Sequence, residues 1–227
     1  MKLAVLFSGG KDSHFAMYLA RKEHTISCLL HIKSKNDYSY MFQSAGCELV
    51  TLQAQALDLP LLVQETSGEK EIELDDLKIL FSNAKHKFGI EGIVTGAIAS
   101  TYQASRIQKL CNELGLWCFN PLWQINQKLY LKQLLKDKFS IILSGIATYP
   151  LTSKYLGKKI TLKLSKELLV LADKYKISPI GEGGEFESLV LNSPLHKKKI
   201  KIIKKNIIMD SEHSGKIVIT NAKVIDK

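Results

Sequence analysis
Six consecutive residues, Ser8, Gly9, Gly10, Lys11, Asp12 and Ser13, combine the groups that an anion-binding turn needs. Gly9 and Gly10 let backbone N–H groups approach phosphate oxygens without a Cβ in the way, Ser8 and Ser13 offer hydroxyls, and Lys11 supplies a compact positive charge. Asp12 either caps a helix or helps to hold a magnesium ion. The turn follows the apolar run Leu3 to Phe7 and opens a helical pattern. Unpaired N–H groups and a helix dipole of about half a unit charge would therefore face the anion. The spacing is shorter than that of the Walker loop. A Gly-rich strand-to-helix turn can also serve packing alone.

A second concentration of chemistry lies at Gly181-Glu182-Gly183-Gly184-Glu185-Phe186-Glu187-Ser188, where three carboxylates and three glycines share one turn. Like charges seldom gather for stability, so the loop points to a positively charged ligand; a solvated hairpin is the bland alternative. Other polar residues say less by themselves. Arg106 reads as a surface helix charge, and a lone His31 at the end of a strand is more often packing than a ligand. His86, His196 and His213 have no metal-ligand spacing. The four cysteines, Cys28, Cys47, Cys111 and Cys118, contain no CxxC pair and read as buried free thiols.

The elements that must position these residues follow from periodicity. Leu3 to Phe7 is a continuous apolar run suited to a central parallel strand, and Asp12 to Glu23 repeats apolar residues at helical spacing. Thr25 to Ile32 reads as a second strand. Met41 to Leu57 reads mostly as helix, with a short strand allowed at Glu48 to Leu52, and Lys70 to Phe88 as a helix closed by Gly89. Gly92 to Thr95 is a strand bounded by Gly96, Tyr102 to Leu114 a helix ended by Gly115, and Leu116 to Phe119 a strand stopped by Asn120-Pro121. Such alternation predicts an α/β, doubly wound parallel sheet with its ligand site at the carboxyl ends of the strands. After Trp123 the rhythm changes: helices at Leu129 to Lys136 and Ser165 to Lys174, and strands at Ser140 to Ile146, Ser188 to Asn192, Lys199 to Ile208 and Lys216 to Val224. This half reads as a second, smaller mixed α/β domain.

With 227 residues and no disulfide framework, the chain is long enough to bury roughly 70% of its unfolded surface. The opening apolar run is stopped too soon for a membrane span or a secretory signal, so a soluble, cytoplasmic protein is expected. The formal charge of +10 raises the prospect of RNA or an acidic partner. Much of it, however, sits from His196 to Lys205, where Lys alternates with Ile as in a strand with one solvated face.

Positions 8 to 13 match, residue for residue, the SGGxDS signature of the PP-loop ATP pyrophosphatases. Within that superfamily the chain resembles the diphthine-ammonia ligase family. Glu182 through Glu187 match its EGGEFE motif, and Asn192-Ser193-Pro194-Leu195 is similar to the aspartate-alanine-proline-leucine stretch that follows it. Asn36, Ser39-Tyr40-Met41-Phe42, Gly96-Ala97-Ile98-Ala99-Ser100, Pro121-Leu122-Trp123 and Leu156-Gly157 also fall in the family's order. Gln43, Lys158 and Ser188 depart from it, standing where His, Arg and Thr are usual, and 140–158 matches loosely.

The resemblance implies a PP-loop nucleotide-binding domain over 1–123 and a family-specific substrate-binding domain over 124–227. It implies ATP and Mg2+ as cofactors, cleavage between the α and β phosphates, and adenylation of a carboxyl. The carboxyl would be that of diphthine on elongation factor 2, amidated by ammonium to diphthamide with release of AMP and pyrophosphate. Ser8, Gly9, Gly10, Lys11, Asp12, Ser13, His31 and Gly96 would hold the nucleotide, and Asp12 the metal. Lys11 and Asp12 would carry the catalysis by positioned charge. Ser100, Tyr102, Gln103, Arg106, Glu182, Gly183, Gly184, Glu185 and Glu187 would meet the substrate, with Glu185 and Glu187 attracting a trimethylammonium or ammonium. Trp123 is expected in the core, or else against a quaternary ammonium. Two other readings share the outline: a PP-loop ligase that modifies tRNA, and a nucleotide-binding sensor without catalysis. A glutamine-using amidotransferase would need a second catalytic domain for which the chain has no room.

Overall fold
A computed structural model describes residues 1–34, 49–67 and 72–227. The first sheet is built around β1 (Lys2–Leu6), whose Leu3, Ala4 and Val5 are fully buried. Side chains alternate across a strand, so burial of consecutive residues requires cover on both faces. Parallel neighbours supply the edges: β2 (Thr25–Ser34) on one side and β4 (Gly92–Val94) on the other. Outside these lie β3 (Leu61–Thr66) and β5 (Trp117–Phe119), giving the five-stranded order β3-β2-β1-β4-β5. The order reverses between β1 and β4, which makes the carboxyl ends of these two strands the switch point where such sheets bind ligands.

Helices α1 (Lys11–Ala20) and α2 (Val50–Leu57) bring Phe15, Met17, Val50, Ala54 and Leu57 to the face that holds Leu3, Val5 and Leu29. On the other face, α3 (Ile72–Phe88) sets Leu77, Leu80, Phe81 and Ala84 at helical spacing against Ala4, Cys28 and Leu30. Beside it lies α4 (Thr101–Glu113), with Ile107, Leu110 and Cys111 facing inward. The strand-helix alternation and parallel winding expected from the sequence are present.

The second sheet is antiparallel, in the order β7-β6-β9-β8. Its strands are β6 (Ser140–Ala147), β7 (Phe186–Asn192), β8 (Lys199–Ser211) and β9 (Ser214–Ile225). Helices α5 (Gln127–Lys136) and α6 (Leu162–Tyr175) cover it with Leu131, Leu134, Leu164 and Leu168. These residues belong to the same apolar cluster as Phe15, Met17 and Leu122, so the core runs unbroken from one sheet to the other.

Some expectations change. Val50 to Leu52 is helical rather than extended, because Val50 faces the core from the first turn of α2. The strand of that region is β3, concealed in the sequence by its exposed Val63 and Glu65; among the described residues it pairs with β2 alone. Trp123 is 37% exposed rather than packed in the core, because it lies in a turn closed by its own N–H on the Asn120 carbonyl. The Lys-rich segment is indeed a strand, but from Ile203 onward β8 is exposed throughout because it is the free edge of its sheet. Asn36, Ser39 to Gln43 and Cys47, the expected helix before Val50 and the expected start of a helix at Lys70 lie outside the described residues. Cys28 and Cys111 are buried free thiols, and Cys118 is half-buried.

Candidate active site
The turn from Ser8 to Gly10 leaves β1 at the switch point and enters α1. Gly9 has φ +83°, a left-handed conformation that glycine alone adopts without strain, and a Cβ there would run into the Gln53 amide. Gly10 caps α1 with an extended backbone. Within the turn, Ser8 Oγ accepts the Gly10 N–H at 3.3 Å, and Ser13 Oγ donates to the Gly10 carbonyl at 3.2 Å. Gly96, just beyond β4, passes so close to α1 that a Cβ would lie 2.7 Å from Ser13 N and 2.8 Å from Asp12 C. Its place beside the turn is therefore required by backbone approach.

Lys11 is 3% exposed, and its ammonium is 2.9 Å from Asp12 Oδ2 and 5.6 Å from the Phe186 ring centroid. The other Asp12 oxygen accepts a 2.8 Å hydrogen bond from Tyr130 of α5. Tyr130 has no solvent exposure, and its phenol is pushed well above the usual range by burial and by the Asp12 charge. It therefore stays a donor.

The acidic turn lies against this centre. Glu182 Oε1 accepts the Ala99 N–H at 2.8 Å, which ties the turn to the segment that leads into α4. Burial raises the Glu182 carboxyl above its ordinary range, the Ala99 bond opposes this, and the nearby Asp12 charge raises it again. Gly96 to Ser100 and Glu182, 83 residues apart at the Ala99 bond, thus meet beside Asp12. Glu185 is used differently: its two oxygens accept the N–H groups of Ser178 at 2.6 Å and Gly183 at 2.8 Å, folding its own turn. Gly181 and Gly184 take positive φ, which lets the chain reverse around that carboxylate. Glu187 enters β7 opposite Gly145 and is half-buried.

The remaining expected residues have local roles. Ser100 caps α4, its Oγ accepting the Gln103 N–H at 3.3 Å. The Arg106 guanidinium lies over the Tyr102 ring at 3.5 Å, and its buried Nε has no hydrogen-bond partner among the described residues. His31 is buried and donates from Nδ1 to the Phe7 carbonyl at 2.9 Å, holding the end of β1; burial lowers its pKa, so it is neutral.

Gln53, His14 and Val190 at the site were not singled out from the sequence, and Ser188 was noted there without a role. Ser188 Oγ accepts the Lys11 N–H at 3.1 Å, Val190 N donates to the Gly9 carbonyl at 3.2 Å, and Gln53 Nε2 bridges the carbonyls of Gly9 and Val190 at 2.8 Å each. Strand β7 therefore backs the whole turn. His14, fully buried in α1, donates from Nδ1 to the Gly10 carbonyl at 3.0 Å and stacks on His196 at 5.4 Å between centroids. Burial drives His14 well below its usual pKa, and His196 down to about 4. Tyr130 carried one available signal, a tyrosine among the apolar positions of α5, since a buried phenol needs a partner. Gln53 and His14 had none beyond sitting on the buried face of a helix.

A glycine-lined turn, a lysine and a carboxylate at this switch point can hold a polyphosphate and stabilise charge that builds during its cleavage. The fold is a doubly wound α/β sheet with a glycine-rich turn at its switch point, the kind of architecture in which ligands bind at that place. Residues 1–118 match the family profile described as Diphthamide synthase N-terminal domain, and residues 126–225 match Diphthamide synthase C-terminal domain. The chain belongs to the diphthamide synthase family, whose curated relatives are enzymes. Diphthine–ammonia ligase of Schizosaccharomyces pombe is 36% identical over 95% of this chain and 38% of its own length. The enzyme of that name from Mus musculus is 34% identical over 93% of this chain and 86% of its own, and that from Homo sapiens 32% over 93% and 86%. The chain thus spans little more than a third of the fission yeast relative and most of the mammalian ones. Among solved structures, a predicted subunit of tRNA methyltransferase from Methanocaldococcus jannaschii is 17% identical, covering 86% of this chain and 98% of that one, with a TM-score of 0.42. That superposition is too loose to bear on function. No helix among the described residues is long and apolar enough to cross a membrane.

Proposed function
We propose that the chain is an ATP-dependent ligase that adenylates the carboxyl of diphthine on elongation factor 2 and amidates it with ammonium to diphthamide. The observation that carries this is the meeting, at one switch point, of the Ser8–Ser13 turn with the Glu182 turn from the other half. The family assignment supports this reading: relatives that align over most of this chain bear the name diphthine–ammonia ligase.

The chemistry follows from the poor electrophilicity of a carboxylate, whose oxygen no amine displaces at neutral pH. Attack of a carboxylate oxygen on the α phosphorus forms an acyl-adenylate and breaks the bond to the β phosphate, and pyrophosphate leaves. Ammonium gives up a proton, the resulting ammonia attacks the acyl carbon, and AMP departs as a second proton is released from the nitrogen. In this scheme Ser8, Gly9, Gly10 and Ser13 cradle the β and γ phosphates, and Lys11 stabilises charge on the departing pyrophosphate. Gly96 leaves room for the close approach of the β4 loop beside the nucleotide. Glu182 and Glu187 set a negative field for a positively charged acceptor, in a turn held by Glu185. Ser100, Tyr102, Gln103 and Arg106 lie on the neighbouring helix start, where they meet the acceptor or the phosphates.

Magnesium fits the site in a limited way. Among the described residues no group of three or more His, Cys, Asp or Glu could hold a metal by itself. Asp12, with a side chain 26% exposed, offers a hard oxygen that would hold the ion jointly with nucleotide phosphates, the usual arrangement for magnesium. When bound, the ion would neutralise phosphate charge during transfer.

The test is direct. The pure protein, ATP, magnesium, ammonium and diphthine-bearing elongation factor 2 are incubated and the factor is weighed. Replacement of one hydroxyl by an amine, with AMP and pyrophosphate formed in equal amounts, is expected. A factor of unchanged mass, or product that tracks glutamine rather than ammonium, overturns the proposal.

A further inference from the structure
Tyr130 stands outside every motif that identifies the site, yet it touches the residue on which the chemistry turns. Its ring has no solvent exposure and packs against Phe15 of α1 at 5.2 Å between centroids. Packing alone would be served as well by phenylalanine. The hydroxyl, however, leaves the apolar cluster and donates to Asp12 Oδ1 at 2.8 Å, while Lys11 takes Oδ2 at 2.9 Å. A carboxylate gripped at both oxygens by groups that are themselves buried has one rotamer. About a quarter of that side chain stays open to solvent. The anchor is rigid on its own side too: Asn126 caps α5 by accepting the Leu129 N–H at 3.0 Å, fixing the first turn of the helix that carries Tyr130.

We infer that Tyr130 is a positioning residue: it orients the Asp12 carboxylate for a divalent cation shared with the nucleotide, and so makes that site depend on the second half of the chain. The inference rests on the proposed function, because it takes Asp12 to hold the metal. Magnesium demands near-ideal ligand geometry, and removing a partner that orients a metal ligand typically weakens metal binding by about 10-fold to 100-fold.

Tyr130→Phe keeps the ring and removes the donor. Mn2+ binding is read from the electron paramagnetic resonance signal of the free ion, in the presence of an ATP analogue with a methylene in the α–β bridge. Measurements are made below the melting transition of every variant. The expected result is Mn2+ affinity roughly tenfold weaker in Tyr130→Phe, with unchanged affinity for the analogue when metal is chelated. Asp12→Asn should weaken Mn2+ further, and adding Tyr130→Phe to it should change nothing more, since Tyr130 acts through Asp12. A purely structural tyrosine would weaken the analogue with and without metal alike, and its loss would add to that of Asp12→Asn. That outcome, or wild-type Mn2+ affinity in Tyr130→Phe, overturns the inference and leaves the proposed function standing. Failure of the unsubstituted protein to bind Mn2+ with the analogue would instead overturn the role given to the turn, and the inference with it.

Discussion

Lys11 and Asp12 form an ion pair with one partner nearly sealed from solvent, and removing either leaves the other without its counter-charge. Lys11→Met should leave a folded protein and cut pyrophosphate release with diphthine-bearing factor by at least about 100-fold, the usual scale for losing a charge aimed at the transition state. A pyrophosphate-release assay reads this; activity within the error of the unsubstituted protein would remove Lys11 from the chemistry. His196 makes a different prediction, of stability. Burial holds it down at about 4 from 6.5, so the unfolded chain takes up this proton near 6.5 and the folded chain only near 4. Its contribution is fully present above 6.5 and is lost as pH falls through the window to 4, at about 1.4 kcal/mol per pH unit. His196→Gln should flatten the fall of stability between those limits by about that slope, as measured by urea unfolding at several pH values. His14, depressed in the same direction, keeps its share.

At the scale of elements, the site depends on backbone approach. Gly96 brings the loop after β4 against the first turn of α1, where the atoms a Cβ would meet belong to the main chain and cannot swing away. Gly96→Ala should therefore displace that turn, costing about 1–3 kcal/mol of stability. It should also weaken ATP binding measured by calorimetry; unchanged affinity would show that the two elements do not act as one site. Strand β7 supports the same turn from behind through Ser188 and Val190. Ser188→Ala removes the acceptor of the Lys11 N–H and should cost about 1 kcal/mol, whereas Ser188→Thr, which keeps the hydroxyl, should cost less. The pairing of these elements was only half legible. The strand-helix alternation placed β1, α1, β4 and α4 near their observed bounds, the strands by short continuous apolar runs and the helices by apolar residues at helical spacing, although α1 ends at Ala20 rather than Glu23. Strand β3 escaped because exposure removes such a pattern, and β7 was recognised as a strand without any sign of what it would face.

Across the whole molecule, one apolar cluster joins Phe15, Met17 and Leu122 to Tyr130, Leu143 and Leu168. A division at residues 123 and 124 separates the sheets but cuts this core. The full chain should accordingly unfold in one cooperative transition by calorimetry, and residues 1–123 expressed alone should bind a hydrophobic dye and lack a sharp melt. Two separate transitions, or a well-folded fragment, would refute that expectation. The sequence by itself determined the chemistry available at the first turn, the doubly wound plan of the first half and the family, since these rest on residue types in short, contiguous patterns. Only the tertiary structure decided that Tyr130, 118 residues away, would grip Asp12, and that Ser188, 177 residues away, would receive the Lys11 N–H. It also turned Glu185 inward to fold its own loop and left Glu182 facing the centre. The reason is physical: a period of alternate or every-fourth residues shows which side chains share a face, but a hydrogen bond between distant segments depends on how two sheets pack, which no local pattern encodes.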